Sequence, residues 1–427
     1  MTRTKGSPRR ADIAVLGLVV GLALLLGCAT RDEPAAPTDA APAAPTAAAA
    51  ATVQATPAPT AGSDAQALDT EARDNGPMFH PDENPTQLDD WGQLLLVGGR
   101  LGPADDVIPY ELNSALFSDH AQKLRTVWLP DGATPAAYDD TDTFDFPVGT
   151  VITKTFWYPI DDDASRVRTA RAMTGELQTG LDLGAVRLVE TRILVHRADG
   201  WHALPYVWND DQTEATLQRT GDLLRLTLID EATGDETDFP YVVPNVNQCA
   251  GCHATNHTTG DIVPIGPKAR HLNRTVDFGD GPVDQLDHWQ ALGLVADSTD
   301  AATAPRNVAW DDPTAPLDAR ARAYLDINCS HCHNEAGPAD TSGLFLEPSN
   351  PIDTHLGVCK PPVAAGTGTG DRRYGINPGA PEDSIFVFRM QTTDPASMMP
   401  ELGRAVPHAD GIDLITEWIA SLDGACA

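Results

Sequence analysis

Cys249-Ala250-Gly251-Cys252-His253 and Cys329-Ser330-His331-Cys332-His333 repeat one five-residue pattern, C-x-x-C-H, and the position of the two copies organises the whole chain. The first copy closes a long run rich in β-branched and aromatic residues. The second closes a run with helical periodicity. On a helical turn, residues at i, i+3 and i+4 share a face, so two thiols and an imidazole emerge together. That arrangement is the attachment signature of c-type haem, in which the thiols take up the porphyrin vinyl groups and the His ligates the iron. The spacing predicts two covalently bound haem c groups on Cys249, Cys252, Cys329 and Cys332, with His253 and His333 as iron ligands. Two C-x-x-C pairs could instead build an all-thiolate zinc site or a redox pair. Neither needs a His after the second Cys, and with 12 His in 427 residues that coincidence at both pairs has odds of roughly one in a thousand.

Haem attachment of this kind happens after export, and the N-terminus reads accordingly. Arg3, Lys5, Arg9 and Arg10 precede an apolar run from Ile13 to Leu26, which is short for a bilayer span and suits a signal peptide. Leu25-Leu26-Gly27-Cys28 resembles a bacterial lipobox, which implies that residues 1–28 form a lipoprotein signal and that Cys28 is acylated. More than one acyl chain on Cys28 would anchor the protein stably to a lipid bilayer. Ala29, where Asp would signal retention, places it on the outer membrane, facing the periplasm or the cell surface. Cys359 and Cys426 are then the two cysteines left over. In an oxidising compartment they are a disulfide candidate, two free thiols being the alternative.

Residues 29–75 are Ala, Pro and Thr without an aromatic residue, a composition that buries too little to fold and predicts a disordered tether. Residues 76–248 carry strand signals at Lys123 to Leu129, Phe144 to Tyr158, Val186 to Arg197, Trp201 to Trp208, Leu223 to Ile229 and Phe239 to Val243. Ala198-Asp199-Gly200 and Ala232-Thr233-Gly234-Asp235 read as hairpin connections. These predict an antiparallel β-rich module of sandwich or barrel type. Residues 249–313 hold the first haem segment and a connector. Residues 314–427 read as helical, with runs over Leu317 to Asn328, from Pro381 toward Met390, and over Ile412 to Leu422. The expected fold class is thus a β-rich module followed by an all-α domain carrying the second haem. The formal charge is −32. Such acidity excludes a nucleic-acid partner and suits a basic redox protein, although solubility alone also accounts for it.

The segment from Cys329 through Ser397-Met398-Met399-Pro400 to a closing helix bearing Trp418 resembles a class I cytochrome c domain. The resemblance implies that Met399 is the second axial ligand of that haem, with Met398 as its rival. His/Met ligation raises the potential and leaves little room for substrate. His331 lies off the ligating face and reads as solvent-facing, and Pro338 marks where a carbonyl could receive the His333 Nδ1–H. A longer span, from Asn75 onward, resembles a family of uncharacterised bacterial di-haem c-type cytochrome lipoproteins. The strings that carry this likeness include Phe146-Pro147-Val148-Gly149-Thr150-Val151, Gly357-Val358-Cys359-Lys360-Pro361-Pro362 and Met399-Pro400-Glu401-Leu402-Gly403-Arg404. It implies electron transfer, with a β-helix repeat protein as a partner.

For the first haem the second axial ligand is open: His257, His271, His288, His408 and Lys268 are candidates, as is no protein ligand. The functional expectation is a membrane-tethered cytochrome passing electrons between periplasmic redox partners. A di-haem peroxidase-type enzyme with an open first haem, or a haem-containing binding or sensor protein, are the alternatives.

Overall fold

Alternation of side chains decides the central sheet. From Gln122 to Trp208 the chain lays down its longest strands, which carry buried residues on both faces. In the computed structural model, which describes residues 76–160, 163–169, 176–296, 300–363 and 366–427, they form a six-stranded sheet. Its order is Ala215–Leu217, Gly200–Trp208, Val186–Arg197, Val151–Pro159, Gln122–Trp128 and Ile108–Tyr110, antiparallel throughout. Ala198 and Asp199 turn one of its hairpins, as the β-rich reading expects. A second sheet pairs Asp222–Ile229 with Glu236–Val243 and, in parallel, with Arg166–Arg168. The lipidation candidate Cys28 and the tether lie outside the described residues. No helix among the described residues is long and apolar enough to cross a membrane.

One face of the large sheet packs a single core containing Trp91, Val151, Trp157, Ile193 and Tyr206. The other face carries two separate apolar clusters, one with Val127, Ile152 and Leu194 and one with Phe156, Tyr158 and Val189. Between them runs a polar row, Arg125, Lys154 and Arg192, in register across three neighbouring strands. The first C-x-x-C-H motif lies over this face, on the helix Val246–His253. That helix starts in a capping box, with the Asn245 side chain accepting from the backbone N–H groups of Asn247 and Gln248, which fixes where the motif begins.

The expectation of an all-α C-terminal domain is overturned. Strand accounts for 27% and helix for 21% of the described residues, and among them no all-α unit stands apart toward the C-terminus. Three helices, Leu317–Leu325, Ile385–Gln391 and Ala409–Ser421, surround long stretches of turns between His333 and Ser384. Two physical reasons explain the difference. The intervening sequence is studded with Gly and Pro, which end helices rather than extend them. The segment is also sewn onto the β-rich part by buried polar contacts. Arg270 forks onto Asp326 at 2.7 and 3.0 Å, Asn328 Oδ1 accepts the Phe117 N–H at 2.8 Å, and Asp119 accepts the N–H groups of Ala405 and Val406 at 2.6 and 2.9 Å. Val406 enters the Phe156 cluster and Ile327 the Val127 cluster, so the cores interlock.

Within this segment the first and last helices cross where Gly411 meets Tyr324. A Cβ there would sit 2.4 Å from the Tyr324 ring, so only glycine lets the helices approach so closely. The Trp418 indole donates to Asp318 at 2.9 Å and ties the same two helices together.

Candidate functional site: a shared cavity at two C-x-x-C-H motifs

The two motifs, far apart in sequence, come into contact. The Cys332 thiol donates to the Gly251 carbonyl at 3.3 Å. A cavity of about 710 Å³ opens between them, lined by Gly251 and Cys252 of the first motif and by Cys329, His331, Cys332 and His333 of the second. Met399 lines the same cavity, whereas Met398 does not. Its remaining wall is largely apolar, from Leu325, Leu344, Leu346, Phe386, Met390 and Ile412. Such a volume lies in the range of cofactor sites, and its chemistry is that of an apolar slot with a few directed polar atoms.

Each imidazole of the C-x-x-C-H motifs is oriented through Nδ1. His253 Nδ1 lies 2.8 Å from the Val263 carbonyl, which can only accept, so Nδ1 carries the proton and Nε2 keeps its lone pair. His333 Nδ1 lies 3.2 Å from Ser342 Oγ. The Ser342 hydroxyl spends its own proton on the Ala339 carbonyl at 2.6 Å, so toward His333 it accepts. Nδ1 is again the protonated atom. Ser342, rather than a carbonyl placed by Pro338, therefore orients the second imidazole. Burial pushes the pKa of both His253 and His333 down to about 4, so both are neutral at pH 7 and able to ligate a metal. Burial raises the pKa of all four thiols, Cys329 and Cys332 to about 12.

Met399 is held from both sides. Its N–H donates to the Arg389 carbonyl at 2.8 Å, and its carbonyl accepts from Arg404 Nε at 3.1 Å. Arg404 also donates to the carbonyls of Arg389 and Thr392, yet its Nη1 is buried without a partner at the cavity wall. Sequence reading missed Arg404, because nothing local distinguishes it from a surface arginine.

The first motif faces the cation row. Lys154 and Arg192 are directly opposed across their strands, and Arg125 is opposed to Lys154 on its other side. Like charges so placed destabilise a sheet. Lys154 and Arg192 flank the Phe156 ring at 4.9 and 4.4 Å. Arg192 is balanced by the fully buried Glu190, which it binds at 2.6 and 2.8 Å and which Tyr241 also contacts at 2.7 Å. No carboxylate pairs with Lys154 among the described residues. Burial, then the charges of Arg125 and Arg192, press its ammonium well below the usual pKa. A strand reading Thr153-Lys154-Thr155 inside an apolar run was the available signal.

These observations fit a covalently attached haem at each motif. At the second motif both thiols, His333 and Met399 line one slot, at the first only Gly251 and Cys252 reach it, and cations without a carboxylate partner among the described residues, Lys154 at the first motif and Arg404 at the second, match the propionate carboxylates that a haem carries. Among the described residues no group of three or more His, Cys, Asp or Glu side chains gathers as a metal cluster. The remaining candidates sit elsewhere. His271 lies beside Asp326 at 3.6 Å, His288 stacks on Phe278 at 4.2 Å, Lys268 pairs with Asp142 at 3.1 Å, and His257 accompanies the Ala336 carbonyl at 2.9 Å. His408 does line the cavity, stacked on Phe117 at 4.1 Å, with its Nδ1 engaged by the Tyr324 hydroxyl at 3.1 Å.

Two further placements complete the site. His331 is not solvent-facing but 7% exposed, at the cavity wall. Cys359 and Cys426 are joined in the structure, with their Cα atoms 5.2 Å apart, which ties the cavity-lining loop at Lys360 to the C-terminal end. No family model, no curated protein and no solved structure matches the chain.

Proposed function

We propose that the chain is a di-haem c-type cytochrome, exported and tethered to a membrane through acylated Cys28, that passes electrons between redox partners. The observation that carries this reading is the contact between the two motifs, Cys332 Sγ to Gly251 O at 3.3 Å, over one shared cavity. Haem c, when bound, supplies a one-electron iron couple whose potential is set by its axial ligands. The chain's residues supply everything else. His253 and His333 present neutral Nε2 atoms, Ser342 and the Val263 carbonyl hold them in that tautomer, and Met399 faces the slot from the loop that Arg404 braces. Apolar side chains around the second motif exclude water, which favours transfer of electrons over reaction with a solvent-borne substrate. The touching motifs would place two haem edges close together, as a relay requires.

The test is a spectrum of the oxidised and reduced protein, produced with haem-attachment machinery, with cyanide and peroxide added. Two low-spin irons that ignore both reagents are expected. A high-spin iron consumed by peroxide would contradict the electron-carrier reading in favour of a peroxidase-type enzyme.

A further inference from the structure

The second motif holds a residue that its own haem does not use. His331 stands two positions before His333 on the same turn, so the two side chains leave the helix on nearly opposite sides. A His in that position ordinarily reaches solvent, and here it does not. It is 7% exposed and lines the cavity that the Gly251-Cys252 edge of the first motif also lines. Its Nδ1 is buried with no hydrogen-bond partner, and no bond to its Nε2 is found among the described residues. A buried imidazole nitrogen without a partner is costly, and the Nε2 is free to take a ligand at the cavity. The next residue, Cys332, touches the Gly251 carbonyl at 3.3 Å, and Cys252 lines the same cavity as His331, so His331 stands at the boundary with the first motif.

We propose that His331 is the second axial ligand of the first haem. The second motif would then serve both cofactors: Cys329, Cys332 and His333 hold its own, and His331 reaches across to the neighbour. The other candidates are less well placed. His271, His288 and Lys268 are engaged away from the cavity, while His408, its Nδ1 engaged by Tyr324, is stacked on Phe117 at the cavity wall and stays a competitor. So does Lys154, which has no carboxylate partner among the described residues and lies on the sheet face that the first motif covers. An assignment of His331 gives the first haem bis-imidazole ligation and a lower potential than a His/Met haem. It also makes the strap Cys329–His333 a covalent and coordinate link between the two groups.

The inference rests on the di-haem reading, and the experiment separates the two. Full-length protein made with haem-attachment machinery is first weighed intact, and fewer than two added haems would sink both the reading and the inference. With two haems present, electron paramagnetic resonance of the oxidised protein should show one bis-imidazole and one His/Met low-spin signal. In His331→Ala the bis-imidazole signal should give way to a high-spin one, the reduced protein should now bind carbon monoxide, and added imidazole should restore the low-spin signal. The Met–iron charge-transfer band of the second haem should persist. His331→Met, which keeps a ligand, should stay low-spin with a raised potential. A wild type with one high-spin iron would overturn the proposal. So would a His331→Ala spectrum unchanged from wild type, or loss of the first haem's low-spin signal in Lys154→Ala or His408→Ala while His331→Ala retains it.

Discussion

Met399 and Met398 are neighbours of equal chemistry, and what separates them is backbone bonding. Arg389 and Arg404 clamp the backbone of Met399, whose side chain lines the slot, while Met398 turns elsewhere. Met399→Ala is expected to remove the charge-transfer band and lower the potential of the second haem by on the order of 0.1 V or more, within the ~0.8 V range that axial ligands command. A redox titration checks this, and the same change in Met398→Ala instead would reassign the ligand. At this scale the legible residues were those whose partners are near in sequence: the C-x-x-C-H turns and a Met before a Pro. His331 was misread because helical geometry tells which way a side chain leaves the turn, not what waits there. Lys154 and Arg192 were invisible for a related reason, since only strand register brings them face to face.

The helical elements were legible and their assembly was not. The run over Leu317 to Asn328 does form a helix, ending in a π turn, Asp326–Ser330, that delivers Cys329. The same turn carries Asp326, fully buried and bound by Arg270, Asn307 and Ser330, with His271 alongside. This cluster is what fuses the two halves. Burial works against the charged form of Asp326, but His271 and Arg270 outweigh it and hold the carboxyl well below the usual range. Because burial lowers the pKa of His271 to about 4, Arg270 is the lasting charge at neutral pH. Asp326→Asn leaves Arg270 buried and unpaired, and should cost about 3–5 kcal/mol in denaturant unfolding at pH 7. The sign with pH follows from linkage. The unfolded chain protonates Asp326 near its ordinary pKa of about 4 while the folded one resists, so that contribution is present above about pH 4 and lost below it. His271 adds a loss already between about pH 6.5 and its folded value, because there the unfolded chain binds the extra proton. Unfolding midpoints should therefore fall as pH drops from 7 to 4, and below pH 4 the variant should fall less steeply than wild type. Parallel curves below pH 4 would remove Asp326 from the account.

For the molecule as a whole, a β-rich scaffold supplies the cation row and the backbone contacts around the two short C-x-x-C-H turns. The β-rich part was readable because its strands carry strong β-branched and aromatic patterning. The interlocked C-terminal segment was not, because the polar contacts that join it to the β-rich part pair residues from 56 to 287 positions apart. A charge of −32 gives the protein a strongly negative field. Reduction by a basic redox protein should accordingly slow by about tenfold or more between low and physiological salt, while an uncharged small reductant shows no such dependence. Stopped-flow rates decide this, and equal salt dependence for both reductants would dismiss steering by the acidic surface.

The central claim is that two porphyrins are bonded to Cys249, Cys252, Cys329 and Cys332. Intact mass spectrometry of the denatured protein, made in cells that attach haem, tests it most directly. The account predicts a mass increased by two haem groups, falling to one in Cys249→Ala/Cys252→Ala and likewise in Cys329→Ala/Cys332→Ala. A protein of unmodified mass, or one that carries zinc on intact thiols, would contradict it.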